Sequence, residues 1–131
     1  MIKRGVYAAA LSILNDDYSL NINATINHAE FAIKKGLHGV FFFGSTGQSQ
    51  LISNSEKKEF ISKIAGHKFR KFFYLGTSNN SLKDNIDLIK YSMEYNFQNF
   101  LVMPPAYYKG NTDEGVYNFY ASIILKIPKI K

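Results

Sequence analysis

Four apolar runs recur along the chain at intervals of about thirty residues: Val6 to Leu11, Val40 to Phe43, Phe72 to Leu75 and Phe100 to Met103. Each is short and near-continuously apolar, the pattern of a strand buried on both faces. Between them the period changes to that of a helix. Ile22, Ile26, Ala29 and Ile33 share one face of a segment that begins among asparagines able to cap it and stops at Gly36. Ser53 and Glu56 stand at capping-box spacing ahead of Phe60, Ile61 and Ile64. Ser81 and Asp84 open a third helix carrying Leu82, Ile86, Ile89 and Met93, and Thr112-Asp113-Glu114 opens a fourth with Val116, Phe119, Tyr120 and Ile123. The acidic first turns complement the helix dipole.

Strand and helix alternating at this spacing predict parallel strands joined by right-handed crossovers. Three architectures have that form: a doubly wound sheet, a β/α barrel, or a piece of a barrel. No Gly-x-Gly-x-x-Gly follows the first run, where Asp16 and Asp17 stand instead, so a dinucleotide fingerprint is missing. The phosphate-loop pattern fails as well, because Gly44-Ser45-Thr46-Gly47 lacks the following lysine and the required spacing.

The stretch from His38 to Gln48 organises the rest. An apolar strand breaks there into a small, hydroxyl-rich turn in which Gly44 and Gly47 let backbone approach a ligand and Ser45 and Thr46 offer hydroxyl and N–H groups. Such a turn suits a carboxylate or phosphate; it is equally the form of an ordinary strand-to-helix connection. In a parallel α/β fold the loops after the strands emerge together. That face collects Ser12, Asn15 and Asp16; Ser45, Thr46 and Gln48; Thr77, Ser78, Asn79 and Asn80; and Pro104, Pro105, Tyr107, Tyr108 and Lys109. It is rich in hydroxyls and amides, and no histidine or glutamate stands at a strand end. His28, His38 and His67 read as surface or packing residues, and no His, Asp and Glu cluster has metal-ligand spacing. Tyr107 and Tyr108 suit either a packed loop or subunit interface, or a proton relay with a neighbouring hydroxyl.

Composition narrows the function classes. With 131 residues, 46% hydrophobic and 20% charged, residues 1–131 read as a single folded segment. The net charge of +6 comes from lysines, Lys57-Lys58 among them, scattered over the proposed polar helix faces, which argues against a nucleic-acid partner. No cysteine is present, so disulfides and cysteine nucleophiles are excluded. No signal-peptide pattern or membrane-length run is found, and a cytoplasmic protein with no membrane partner is the expectation.

Gly44-Ser45-Thr46-Gly47-Gln48 resembles the Gly-(Ser/Thr)-Thr-Gly-Glu loop of the dihydrodipicolinate synthase/N-acetylneuraminate lyase family. Gly76-Thr77-Ser78-Asn79-Asn80 is similar to its Gly-Thr-Gly-x-Asn segment. Pro104-Pro105-Ala106-Tyr107-Tyr108-Lys109, with Asp113-Glu114-Gly115-Val116-Tyr117 after it, resembles its Pro-Tyr-Tyr segment and the Glu-Gly opening of the next helix. The resemblance implies the N-terminal half of a (β/α)8 barrel, about four β-α units. It also implies a lyase of the class I aldolase type, in which a lysine forms a Schiff base with pyruvate or another 2-oxo acid and no separate cofactor is needed.

By the same resemblance, Ser45, Thr46 and Gly47 bind the carboxylate and Ser45 belongs to a proton relay. Tyr108 completes that relay in the site of a neighbouring subunit, which implies a homodimer or homotetramer. Gln48 departs from the family's Glu, and Ser12-Ile13 from its frequent Thr-Pro. The family's relay tyrosine follows the fifth strand and its Schiff-base lysine lies on the sixth, beyond this chain; Lys129 and Lys131 precede both. Two alternatives stay open: a non-catalytic ligand-binding or assembly half-barrel, and a small phosphate-binding doubly wound domain. A half-barrel is expected to expose the inner face of its sheet.

Overall fold

A computed structural model describes residues 2, 4–107 and 109–127. Strands β1 (Tyr7–Ala9), β2 (Gly39–Phe42), β3 (Phe73–Gly76) and β4 (Phe100–Leu101) alternate with helices α1 (Ile22–Lys34), α2 (Asn54–Ala65), α3 (Leu82–Glu94) and α4 (Asp113–Lys126). The three strand pairs of the sheet are parallel and the order is β1-β2-β3-β4, with Ala8 beside Val40, Val40 beside Phe73, and Leu75 beside Phe100. A doubly wound sheet places its first strand inside and reverses direction there. Here β1 is an edge and nothing reverses, so the doubly wound alternative is corrected.

The helices cover one face. Val40 and Phe42 of β2 and Phe73 and Leu75 of β3 point into the core, where Phe42 meets Phe60 of α2 at 4.7 Å and Phe73 at 5.1 Å between ring centroids. Full burial of a ring of this size stabilises by roughly 1.5–3 kcal/mol. The alternate residues Tyr7, Phe41 and Tyr74 lie on the other face, half-buried, and Ala9 is exposed. The apolar runs have the pattern of strands buried on both faces, whereas among the described residues helices cover one face only, as expected of half a barrel. The ends of the first run, Val6 and Leu11, are 63% and 52% exposed and belong to no strand.

Local chemistry fixes the helix starts. The Asn21 side chain accepts from the Ala24 N–H, and those of Ser81 and Thr112 accept from the N–H groups of Asp84 and Gly115. Ser53 and Glu56 form a complete capping box, and Glu56 also accepts the Leu20 N–H at 2.8 Å, which ties the start of α2 to the approach of α1. A smaller cluster of Ile89, Ile123 and Ile127 joins α3 to α4.

Ser53→Ala is expected to cost about 1 kcal/mol, and Glu56→Ala more, since it also strands the Leu20 N–H. The Ser53 hydroxyl, then the Leu20 N–H, hold the Glu56 carboxyl below its ordinary 4.5. Its contribution is therefore present above that value and fades as pH falls through the lower folded one. Urea unfolding at neutral pH and at roughly pH 3 checks this: the wild type should lose more on acidification than Glu56→Gln.

Candidate active site

Beyond β2 the backbone turns sharply. Phe43 and Gln48 take φ of +57° and +50°, bracketing Gly44-Ser45-Thr46-Gly47. Gln48 N–H donates to the Ser45 carbonyl at 3.0 Å and Ser49 N–H to that of Gly44 at 3.3 Å, closing the turn. The Ser12 hydroxyl donates to the Gly47 carbonyl at 2.6 Å, fastening the turn to the loop after β1. A Cβ on Gly47 would lie 2.8 Å from the Ala10 carbonyl oxygen, and one on Gly76 would overlap the Phe43 carbonyl. Both glycines are thus required by close backbone approach.

Gly44 and Gly47 are buried while Ser45 and Thr46 face outward. Among the described residues, nothing accepts from the N–H groups of Ser45 or Thr46. Two hydroxyls and two N–H donors on a fixed turn can hold an anionic oxygen pair. Beside them a cavity of about 300 Å³ is lined by Gly44, Ser45, Gln48, Ser49, Gln50, Leu51, Ser78 and Met103, with no ionisable side chain. Ser49 and Ser78 are buried at its wall, and among the described residues their hydroxyls have no hydrogen-bond partner. The neighbouring loops are joined to this frame: Thr77 N–H donates to the Leu101 carbonyl at 3.1 Å and Ala106 N–H to Asn80 Oδ1 at 2.8 Å.

A larger hollow of about 590 Å³ opens at the opposite end of the strands, lined in part by His38, Arg70, Tyr74 and Phe97. Arg70 there already donates to the Tyr95 carbonyl at 2.6 Å and lies over the Phe97 ring. His38 Nδ1 accepts from Val6 N–H, and His67 pairs with Glu30 at 3.0 Å, so both serve structure away from the loop face. Among the described residues no group of three His, Cys, Asp or Glu is placed to hold a metal.

Ser45, Thr46 and Gly47 thus stand together at one strand end. Tyr107 is on the rim of the same face, 88% exposed at φ +75°, and Tyr108 lies outside the described residues. Lys57 corrects the solvated-face expectation: it is 1% exposed, with Nζ 6.0 Å from the centroid of the Phe43 ring. Burial pushes its amine down to about 8, against the pull of Asp84 and Glu56. The signal was present in the spacing, since Lys57 precedes Phe60 by three residues and Ile61 by four and so shares their face.

The profile of the Dihydrodipicolinate synthetase family matches residues 3–130. The chain is 35% identical over 124 residues to the 4-hydroxy-tetrahydrodipicolinate synthase of Legionella pneumophila, covering 94% of itself and 42% of that relative. It superposes on the crystal structure of dihydrodipicolinate synthase from Agrobacterium tumefaciens with a TM-score of 0.87 at 27% identity, covering 97% of itself and 45% of that chain. A pyruvate complex of YagE, a prophage protein of the dihydrodipicolinic acid synthase family from E. coli, gives 0.84 at 20% identity, with coverages of 98% and 43%. The chain therefore spans about two fifths of the length of the curated relatives it matches, and its fold is half of their barrel.

Gly76→Ala should destabilise by about 3 kcal/mol or more, since backbone must move. Gly36→Ala, at φ +96° with nothing within 4 Å, should cost only about 1 kcal/mol, measured in the same denaturant series. Because the Lys57 amine is depressed, the unfolded chain binds the extra proton between about 8 and 10.5, and stability should rise with pH across that window. Lys57→Met should flatten that rise relative to wild type; parallel curves would contradict a buried amine.

Proposed function

Because the chain belongs to the dihydrodipicolinate synthetase family, we propose that it forms the carboxylate-binding half of a lyase site acting on a 2-oxo acid such as pyruvate. One observation carries the reading: Ser45 and Thr46 stand outward with unclaimed N–H groups on a turn clamped by Gly47 and Gly76. A carboxylate seated there would take charge-assisted hydrogen bonds with no reorganisation of the loop. The pyruvate held by a solved protein of the same fold is consistent with it.

In this reading a lysine amine, supplied from a strand beyond these residues, attacks C2 of the bound 2-oxo acid and expels water. The resulting iminium draws electrons from C3, so a carbon–carbon bond there can form or break. The Ser45 hydroxyl hands protons along, and Tyr108 of a neighbouring subunit completes the relay. Neither hydroxyl is a strong base alone, so each conducts a proton whose acceptor is generated by the Schiff-base chemistry. The neutral lining of the cavity favours this division of labour, since the charge would come from the substrate.

In the longer protein containing this segment, Ser45→Ala should lower kcat by about 100-fold or more while changing KM for pyruvate only a few-fold. An unchanged kcat would remove Ser45 from the relay. The 131-residue chain alone should give no borohydride-trapped adduct with pyruvate by mass spectrometry. An adduct on one of its own lysines would overturn the placement of the nucleophile.

A further inference from the structure

Lys57 is a buried cation that the Schiff-base chemistry leaves unused. Only 1% of it is exposed, so its surroundings lie within this segment of the chain. A charge so enclosed is costly unless it is paired. Among the described residues the ion pairs all converge on Glu30, and Lys57 enters no ion pair or hydrogen bond. The carboxylates that favour its charge are Asp84 of α3 and Glu56 of its own helix. Glu56 is committed elsewhere: one of its oxygens accepts from Leu20 N–H, the other from the Ser53 N–H and hydroxyl.

What the amine does meet is the Phe43 ring, with Nζ 6.0 Å from its centroid, within reach of a cation–π attraction. Phe43 is the residue at which β2 gives way to the turn, and Gly44 and Ser45 follow it. It is 1% exposed, and Gly44 and Ser49, joined by the Ser49 N–H to Gly44 carbonyl bond, are buried as well. A charge acting through such packing is screened far less than one acting through water. The turn itself offers N–H groups and hydroxyls to an anion, yet the cavity beside it has no ionisable side chain. The cation lacks its anion, and the anion seat lacks its cation.

We infer that Lys57 is the electrostatic positioning residue of the carboxylate seat: its buried ammonium, set behind Phe43, favours the anion held at Ser45 and Thr46 and takes the bound 2-oxo acid as its counterion. The inference rests on the proposed function. Lys57 touches neither substrate nor reacting atoms, so it acts on binding and leaves proton transfer alone. Its contribution belongs in KM, because a carboxylate keeps its charge in ground and transition state alike.

Steady-state kinetics for pyruvate test this in the longer protein containing this segment, with wild type, Lys57→Met and Lys57→Arg compared at about pH 7 and about pH 9. Burial pushes the amine down to about 8, so the wild type carries the charge at the lower pH and has lost most of it at the higher. Lys57→Met should raise KM about five-fold at the lower pH with kcat within about two-fold, and the gap should close at the higher pH. Lys57→Arg keeps its charge throughout, so its KM at the higher pH should be about five-fold below that of the wild type. That variant carries the test where the neutral one fails to fold. A Lys57→Met KM unchanged at the lower pH, or raised equally at both, would overturn the role and leave the seat standing, as would a Lys57→Arg KM that follows the wild type upward. Wild-type protein that pyruvate fails to saturate would overturn the seat and this role with it.

Discussion

Phe43 holds a left-handed backbone at φ +57°, a conformation that costs a residue with a side chain roughly 1–2 kcal/mol. It is held there by packing on every side. Its ring stacks edge-on against Phe60 at 5.1 Å and lies near the Lys57 amine, while its backbone is enclosed by Gly47 and Gly76. A single residue therefore converts a buried strand into the Gly44–Gly47 turn, and the strain is offset by the core that surrounds it. If that packing loosened, Ser45 and Thr46 would keep their chemistry and lose their placement.

The same constraint links the four strand ends into one surface. Ser12 fastens the first loop to Gly47, the Gly76 backbone lies against that of Phe43, and Asn80 takes the N–H of Ala106 after β4. Loops that would otherwise be independent become one frame with a neutral, hydroxyl-lined cavity at its centre. In the relatives this frame is part of a barrel more than twice as long.

Much of this was legible in the sequence because it is local. Asn21, Ser53, Ser81 and Thr112 all cap the helices their spacing announces, since capping depends on three or four consecutive residues. The turn at Gly44–Gly47 was equally plain. What was not legible depends on partners distant in the chain. Val6 and Leu11 continue an apolar run yet lie outside the strand and are largely exposed, and apolarity alone cannot say whether both faces of a strand are covered. Lys57 was obscured by its charge although its spacing placed it on the buried face of α2. The left-handed turn at Phe43 and Gln48 has no local cause; neither residue prefers φ above zero, and tertiary packing imposes it.

On the proposed function, the Gly44–Gly47 turn is a carboxylate seat held in shape by the core beneath it. Amide chemical-shift mapping of the 131-residue chain titrated with pyruvate addresses it directly. Saturable shifts centred on the N–H groups of Ser45, Thr46 and Gly47 are expected, abolished when the carboxylate is replaced by an amide in pyruvamide. Shifts centred instead on the hollow around Arg70 and His38, or equal responses to both compounds, would contradict it.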